Sequence, residues 1–360
     1  MKRFGLKHLA LAALVVACIF PVAGHALDIK ISGQVNQLAM YADDGDKSDL
    51  LIGDNDNASS RISFEGKEDF GAISAGVTLE FEGEVNSSSK MTIEQFDDGD
   101  FNWGTRKVEG YFSGGFGKVS IGQGDGAANG TTEVDLSGTK VIMYSDTTTT
   151  SKSLAWKNSD GSAYHDLNVG DTRDNYDGLS RNQRVRYDSP TFLGITLSGS
   201  VTNGGAFELA ARYSAGFYGK MSFAVGYVST QNREKSGSEL DFNQIGGSVS
   251  WLMPFGLNFT VAAAQQDKLD ESKPDPINYY GKVGYKFGIH ALAVEYGVTN
   301  DKKHEDDIST NYGLAYVVKP WKNIELFAAV RQFVLDGDDD LYGDDPEAIT
   351  QAMAGTRIKF

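Results

Sequence analysis

Apolar and polar residues change places one for one along most of the chain. Ile29, Ile31, Gly33 and Val35 alternate with Lys30, Ser32, Gln34 and Asn36, and Ile73, Ala75, Val77, Leu79 and Phe81 alternate with Ser74, Gly76, Thr78, Glu80 and Glu82. The same period returns from Met221 to Tyr227, from Ile277 to Phe287 and from Tyr312 to Val318. A period of two places the two classes on opposite faces of an extended strand. The runs reach about ten to thirteen residues, whereas strands of soluble sheets cluster near five or six. A tilted strand needs about nine to eleven to cross a bilayer.

The connections also alternate. Tight ones at 68–71, 113–117, 188–194, 215–219, 253–256, 287–289 and 319–323 are separated by Asp/Asn/Ser-rich stretches near 42–57, 85–103, 124–180, 230–240, 267–276, 300–308 and 335–347. Short turns at one end and long loops at the other is the layout of an outer-membrane barrel. The pattern predicts an all-β fold, a transmembrane antiparallel β-barrel of sixteen strands: roughly 28–41, 58–69, 72–84, 104–113, 117–123, 180–189, 194–203, 207–214, 219–229, 241–252, 256–266, 277–287, 290–299, 309–319, 323–334 and 347–360. Pairing Lys140–Tyr144 with Ser153–Trp156 as a further hairpin would raise the count to eighteen. Closure of the sheet satisfies every backbone group in lipid. Sixteen strands leave a water-filled lumen, where eight would be plugged by side chains. Aromatic residues at successive tight turns, among them Phe70, Phe116, Phe192, Phe217, Phe255, Phe287 and Trp321, match an interfacial girdle.

Composition narrows the choice further. Lys2, Arg3 and Lys7 precede an unbroken apolar run from Leu9 to Phe20, and Gly24-His25-Ala26 supplies small residues at a cleavage site. Residues 1–26 read as a secretory signal peptide, too short to span a bilayer. Val15 to Cys18 lies near a lipoprotein cleavage pattern, but the cut after Ala26 leaves a chain that starts directly on a strand. Without residues 1–26 the chain keeps 334 of its 360 residues, and its net charge moves from −16 to −19 because three cations and no acids are lost. Residues 27–360 then form one barrel domain with no cysteine, so disulfides and thiolate metal sites are excluded. The acidic balance argues against nucleic acid and for a cation-leaning pore. Only His165, His290 and His304 remain for a hydrolase that would need a nucleophile, a base and an orienting partner, so an enzyme is not expected.

The charges in the strands point inward. A cation on the lipid face at mid-membrane costs about 2–4 kcal/mol. Arg61 alternates with Ile62 and Phe64, and Arg184 and Arg186 alternate with Val185 and Tyr187. Arg181 opens the same strand. The longest loop, about 124–180, begins with the flexible Gly122-Gln123-Gly124-Asp125-Gly126 and carries Asp125, Glu133 and Asp135. Folded into the lumen, it would set an acidic rim against a basic wall and select by size and charge. The plainer alternative is that these arginines only pair with nearby carboxylates.

At these residues the chain resembles a family, the general trimeric porins of Gram-negative outer membranes, most of all those of proteobacteria outside the enteric group. The resemblance covers the whole mature chain and rests on Ser60 to Gly66 with Glu68 to Gly71, on Thr105-Arg106 leading to Gly114 to Gly122, on Val185 to Pro190, and on the final strand Gly355 to Phe360. It implies a homotrimeric channel for small hydrophilic solutes and ions, with no cofactor; a substrate-selective channel with an internal site is the alternative. It implies that the outer-membrane insertion machinery reads Phe360. The family's wall arginines on strands two, four and six match Arg61, Arg106 and one of Arg181 or Arg184, and its loop acids match some of Asp125, Glu133 and Asp135.

The chain departs from the family at Gln123 and Gln34, where basic residues are common, and in a third loop of about 57 residues with an insertion-like stretch from Thr147. On strand four, Lys107 and Glu109 alternate with Arg106 and Val108, so neither face is cleanly apolar. The acidic runs at Asp43, Asp44 and Asp46, at Asp54 and Asp56, at Asp97, Asp98 and Asp100, and at Asp336 with Asp338 to Asp340 read as solvated loops. A sharper reading is loosely bound Ca²⁺ tying them to lipopolysaccharide phosphates.

Overall fold

The structure is a computed structural model that describes residues 28–93, 101–216, 218–230, 241–337 and 345–360. The signal-peptide segment, Phe217, and the acidic runs at Asp97, Asp98 and Asp100 and at Asp338 to Asp340 lie outside the described residues. The strands in chain order are β1 (Asp28–Asp43), β2 (Ser48–Asp54), β3 (Arg61–Asp69), β4 (Ile73–Glu84), β5 (Asn102–Gly114), β6 (Gly117–Asp125), β7 (Ala155–Lys157), β8 (Ala163–Asn168), β9 (Arg181–Asp188) and β10 (Ile195–Thr202). They continue as β11 (Phe207–Ala215), β12 (Lys220–Ser229), β13 (Phe242–Leu252), β14 (Leu257–Lys268), β15 (Ile277–Phe287), β16 (His290–Asn300), β17 (Ile308–Trp321), β18 (Ile324–Asp336) and β19 (Ile349–Lys359).

All except β7 and β8 form one antiparallel sheet. β3 pairs with the first half of β1 and β2 with the second half, so the two are one interrupted stave and the barrel has sixteen. It closes where β1 pairs with β19, from Gln34 opposite Lys359 to Asp43 opposite Thr350. Phe360 extends that seam, its N–H donating to Gly33 O and its carbonyl accepting from Gly33 N, both at 3.0 Å. The eighteen-strand alternative does not hold. The inner hairpin uses Ala155–Lys157 and Ala163–Asn168 instead of Lys140–Tyr144, and it forms a two-stranded sheet of its own that adds no stave to the barrel.

The alternation does what period two requires. Ile73, Val77, Ile121, Leu197, Val261, Val294, Leu314 and Val330 are exposed on the outside, while Ser120, Ser200, Gln244, Ser250, Asn258, Asn311 and Gln351 are buried inside. At the short-turn rim Tyr285, Phe287, His290 and Tyr316 stack in succession.

Two irregularities correct the sequence reading. The stretch 42–57, expected as a loop, contains β2, because Leu50 and Ile52 face outward while Leu51 is covered inside. In β5 the register slips: Glu80 faces Lys107 but Phe81 faces Thr105, leaving Arg106 as the extra residue of a β-bulge. A bulge lets two neighbours share one face. Arg106, Lys107 and Glu109 therefore all reach the lumen while Val108 and Phe112 stay exposed outside. That resolves the mixed parity of strand four.

The third loop, residues 126–180, fills much of the lumen. Its Ile142, Met143, Leu154, Trp156 and Tyr164 pack against Leu38 and Met40 of β1, Phe333 and Leu335 of β18 and Ile349 and Met353 of β19 in one buried cluster. The expectation that every inward residue is wet is corrected here. On this side many inward positions are apolar, among them Leu38, Met40, Phe333, Leu335, Ile349 and Met353, and the loop brings its own apolar residues to cover them.

Candidate functional site: the constriction of the lumen

A charged cavity of about 430 Å³ remains between the third loop and the wall built by β3 to β6 and β9. Each element delivers its residues for a local reason. Strand parity points Arg61 and Glu80 inward, the bulge adds Arg106 and Lys107, and β9 opens on Arg181. The loop contributes Glu133, Tyr144 and Asp146, and the break between β2 and β3 contributes Asp56. Asp125 ends β6 at the root of the loop.

Most of these charges are already engaged. Arg106 donates to Glu80 at 2.7 Å and to Glu82 at 2.6 Å, Lys107 meets Asp125 at 2.5 Å, and Arg61 stands 3.7 Å from Glu80. The Arg181 side chain, on a residue whose backbone pairs with Asp125 in the sheet, makes no ion pair or hydrogen bond among the described residues. On the loop, Glu133 accepts from Asn175 Nδ2 at 3.2 Å and lies 3.5 Å from Lys140. Burial and the neighbouring Asp177 push its carboxyl up to about 8. Burial likewise pushes Asp146 up to about 6, against the pull of its hydrogen bonds from Thr148.

The structure brings Arg61, Arg106, Arg181, Asp125 and Glu133 together around this cavity, and it places Arg184, Arg186 and Asp135 elsewhere. Arg184 is 3 % exposed at its side chain, pairs closely with Glu109 and donates to Asp125 O at 3.0 Å. Arg186 pairs with Asp188 at 2.7 Å and donates to Gly126 O at 2.8 Å. Both hold the root of the third loop. Asp135 crosses to the far wall and pairs closely with Lys282, whose side chain is 0 % exposed. Lys107, Glu80 and Asp146 were not singled out from sequence. The adjacent cations Arg106 and Lys107 in one strand were the available signal for the bulge.

The far wall anchors the loop. Loop carbonyls would be orphaned in the lumen without donors, and side chains of the wall supply them. Arg212 donates to Ala127 O and Asn129 O at 2.8 Å, Lys282 to Met143 O at 2.9 Å, Gln244 to Tyr176 O at 2.6 Å and Gln351 to Thr150 O at 2.6 Å. Arg331 pairs with Glu295 at 2.7 Å, both side chains 0 % exposed, and donates to Thr150 Oγ1 at 2.8 Å. Arg173 of the loop reaches back to Asn311 Oδ1 at 2.6 Å.

A closed sixteen-stave barrel with an inward third loop and a charged gap beside it is the geometry of a porin, and the sequence matches the description of the Gram-negative porins over residues 10–338. The chain belongs to the Gram-negative porin family. It lies in the outer membrane and forms a channel for passive diffusion. Among solved structures, the anion-selective porin from Comamonas acidovorans superposes with a TM-score of 0.68 at 17 % identity, covering 93 % of this chain and all, 100 %, of that one. OmpT of Vibrio cholerae, expressed in the outer membrane, gives 0.57 at 12 % identity, covering 94 % of this porin and 99 % of that chain. The outer membrane channel DcaP of Acinetobacter baumannii gives 0.57 at 12 %, covering 94 % and 100 %. No curated protein matches the sequence. Among the described residues no group of three or more His, Cys, Asp or Glu is placed to hold a metal ion.

Proposed function

We propose that solutes cross this porin through the cavity between Arg61, Arg106 and Arg181 on the wall and Asp125 and Glu133 at the loop, and that the passage prefers cations. The carrying observation is the charge of its lining. With Glu133 held neutral at pH 7, the carboxylates of Asp56, Glu80, Asp125 and Asp146 match the four cations Arg61, Arg106, Lys107 and Arg181, and Glu82 beside Arg106 tips the balance to the acidic side. A narrow low-dielectric passage amplifies such an imbalance. The solved relative from Comamonas acidovorans is an anion-selective porin, and the two share the fold at 17 % identity. The test is single-channel recording of the purified protein in a planar bilayer under a KCl gradient. Discrete steps with a cation-sided reversal potential are expected; an anion-sided potential would overturn the selectivity, and absence of steps would overturn the route itself.

The rest of the assignment follows the family. Small hydrophilic solutes and ions are the cargo, and no cofactor is required. Residues 1–26 direct export. Phe360, a residue 66 % exposed at the barrel seam, is the signal for the insertion machinery. The working unit is a homotrimer in contact with lipid and lipopolysaccharide; OmpT of Vibrio cholerae has been solved in a trimer form.

A further inference from the structure

The break in the second stave is an element of the pore in its own right. Between β2 and β3 the chain leaves the sheet as a 3-10 turn at Asp56–Ala58. The turn is fixed from several sides. Asn55 Oδ1 accepts from Asn57 N at 3.1 Å and Asn55 Nδ2 donates to Val141 O of the third loop at 2.9 Å. Asn36 Nδ2 and Gln34 Nε2 donate to Ala58 O at 2.9 Å and 2.7 Å. The Asp56 N–H donates to Ser88 Oγ at 3.0 Å. These bonds hold the backbone and leave one group over. The Asp56 carboxylate lines the cavity and accepts no hydrogen bond or ion pair among the described residues. The other lining acids are engaged: Glu80 with Arg106, Asp125 with Lys107, Glu133 with Asn175 and Asp146 with Thr148.

We propose that Asp56 is a specificity-determining residue of the channel and that it favours solutes bearing an ammonium or guanidinium group. A passing cationic group meets one acceptor that no internal donor competes for, on a turn too firmly held to swing aside. Arg181 of the same cavity, unpaired at its side chain among the described residues, leaves room for a carboxylate on the same solute, so basic amino acids fit better than simple anions. This rests on the channel route proposed above.

The experiment records reversal potentials of the full-length protein in planar bilayers, in KCl and in lysine hydrochloride. Its variants are Asp56→Asn, Asp56→Ser, Asp56→Glu and, as a control on an exposed loop, Asp270→Asn. The Asp56 side chain makes no internal bond, so both neutral variants are expected to keep the fold and the heat stability of the parent. One unit charge about 6 Å from the solute path, screened by roughly 0.1 M salt, raises the local occupancy of one ion sign and lowers that of the other, each by about 1.8-fold. The permeability ratio of K⁺ to Cl⁻ should therefore fall about threefold in both neutral variants, with a parallel fall for lysine, recover in Asp56→Glu and stay put in Asp270→Asn. Wild-type steps with unaltered ratios in both neutral variants overturn the role of Asp56 and leave the route standing. Absence of steps in the wild type overturns both.

Discussion

Facing β3 to β6 and β9, the lumen is wet and charged; facing β16 to β19 and β1, it is filled by the third loop and dry. Both halves are written in the same alternating code, and in both the outward positions are apolar. They differ in what stands at the inward positions. The first half presents Arg61, Glu80, Arg106 and Lys107 to the cavity, and the second presents Leu38, Met40, Phe333 and Met353 to the loop. Even the charges behave differently. In the wet half those lining the cavity stay partly open to solvent, where a pair contributes little. In the dry half Arg331 and Glu295 are sealed from it, where losing one partner strands the other. Parity decides which way a side chain faces, and the loop decides whether it meets water.

The contrast can be broken most sharply at Arg331. Arg331→Met strands the Glu295 carboxylate and should cost about 3–5 kcal/mol. The third loop should then detach on its dry side, seen as noisy, larger conductance and protease cleavage within 139–172. Adding Glu295→Leu should restore much of the loss; quiet parental channels in the single variant would refute the anchoring role. Trp156→Ala empties a fully buried site under the hairpin of β7 and β8 and should cost about 3 kcal/mol, measured as faster cleavage of the loop, with ion selectivity unchanged because the wet wall is untouched.

Acidity should act on the wet half. Glu133 with a carboxyl at about 8 and Asp146 at about 6 are both charged at pH 9. Only Asp146 remains mostly charged at pH 7, and both are largely neutral at pH 5. Selectivity should therefore drift from cations toward anions as pH falls, read from reversal potentials at the three values. A flat profile would remove both acids from the solute path. The smallest change is Arg181→Gln, which deletes a cation of the cavity wall and should raise the K⁺ to Cl⁻ ratio about threefold; the same substitution should leave loop cleavage as it was.

Much of the barrel was legible because period two and the glycine-rich turns are local signals. Strand β15 spans Ile277–Phe287 in the structure as in the pattern, and the other principal strands agree to within a few residues. What escaped the pattern is non-local. Ser48–Asp54 has apolar residues toward both faces, since its inner side meets the dry loop, and so it shows no alternation. Parity rightly turned Arg184 and Arg186 inward, but only the path of the loop reveals that they grip its root instead of facing the cavity. The partner of Asp135 is Lys282, 147 positions away, a distance no spacing rule reaches. The stretch from Thr147 reads as an insertion, and the filling role of the loop's apolar residues depends on β18 and β19 at the far end of the chain.

The bulge at Arg106 has a consequence for how such a wall can change over generations. A regular strand can aim only every second residue at the passage, so its density of fixed ions is capped. One inserted residue lifts that cap locally and puts two cations side by side. Further single-residue insertions along β3, β4 or β9 would be a cheap way to retune what the passage admits without redrawing the barrel around it.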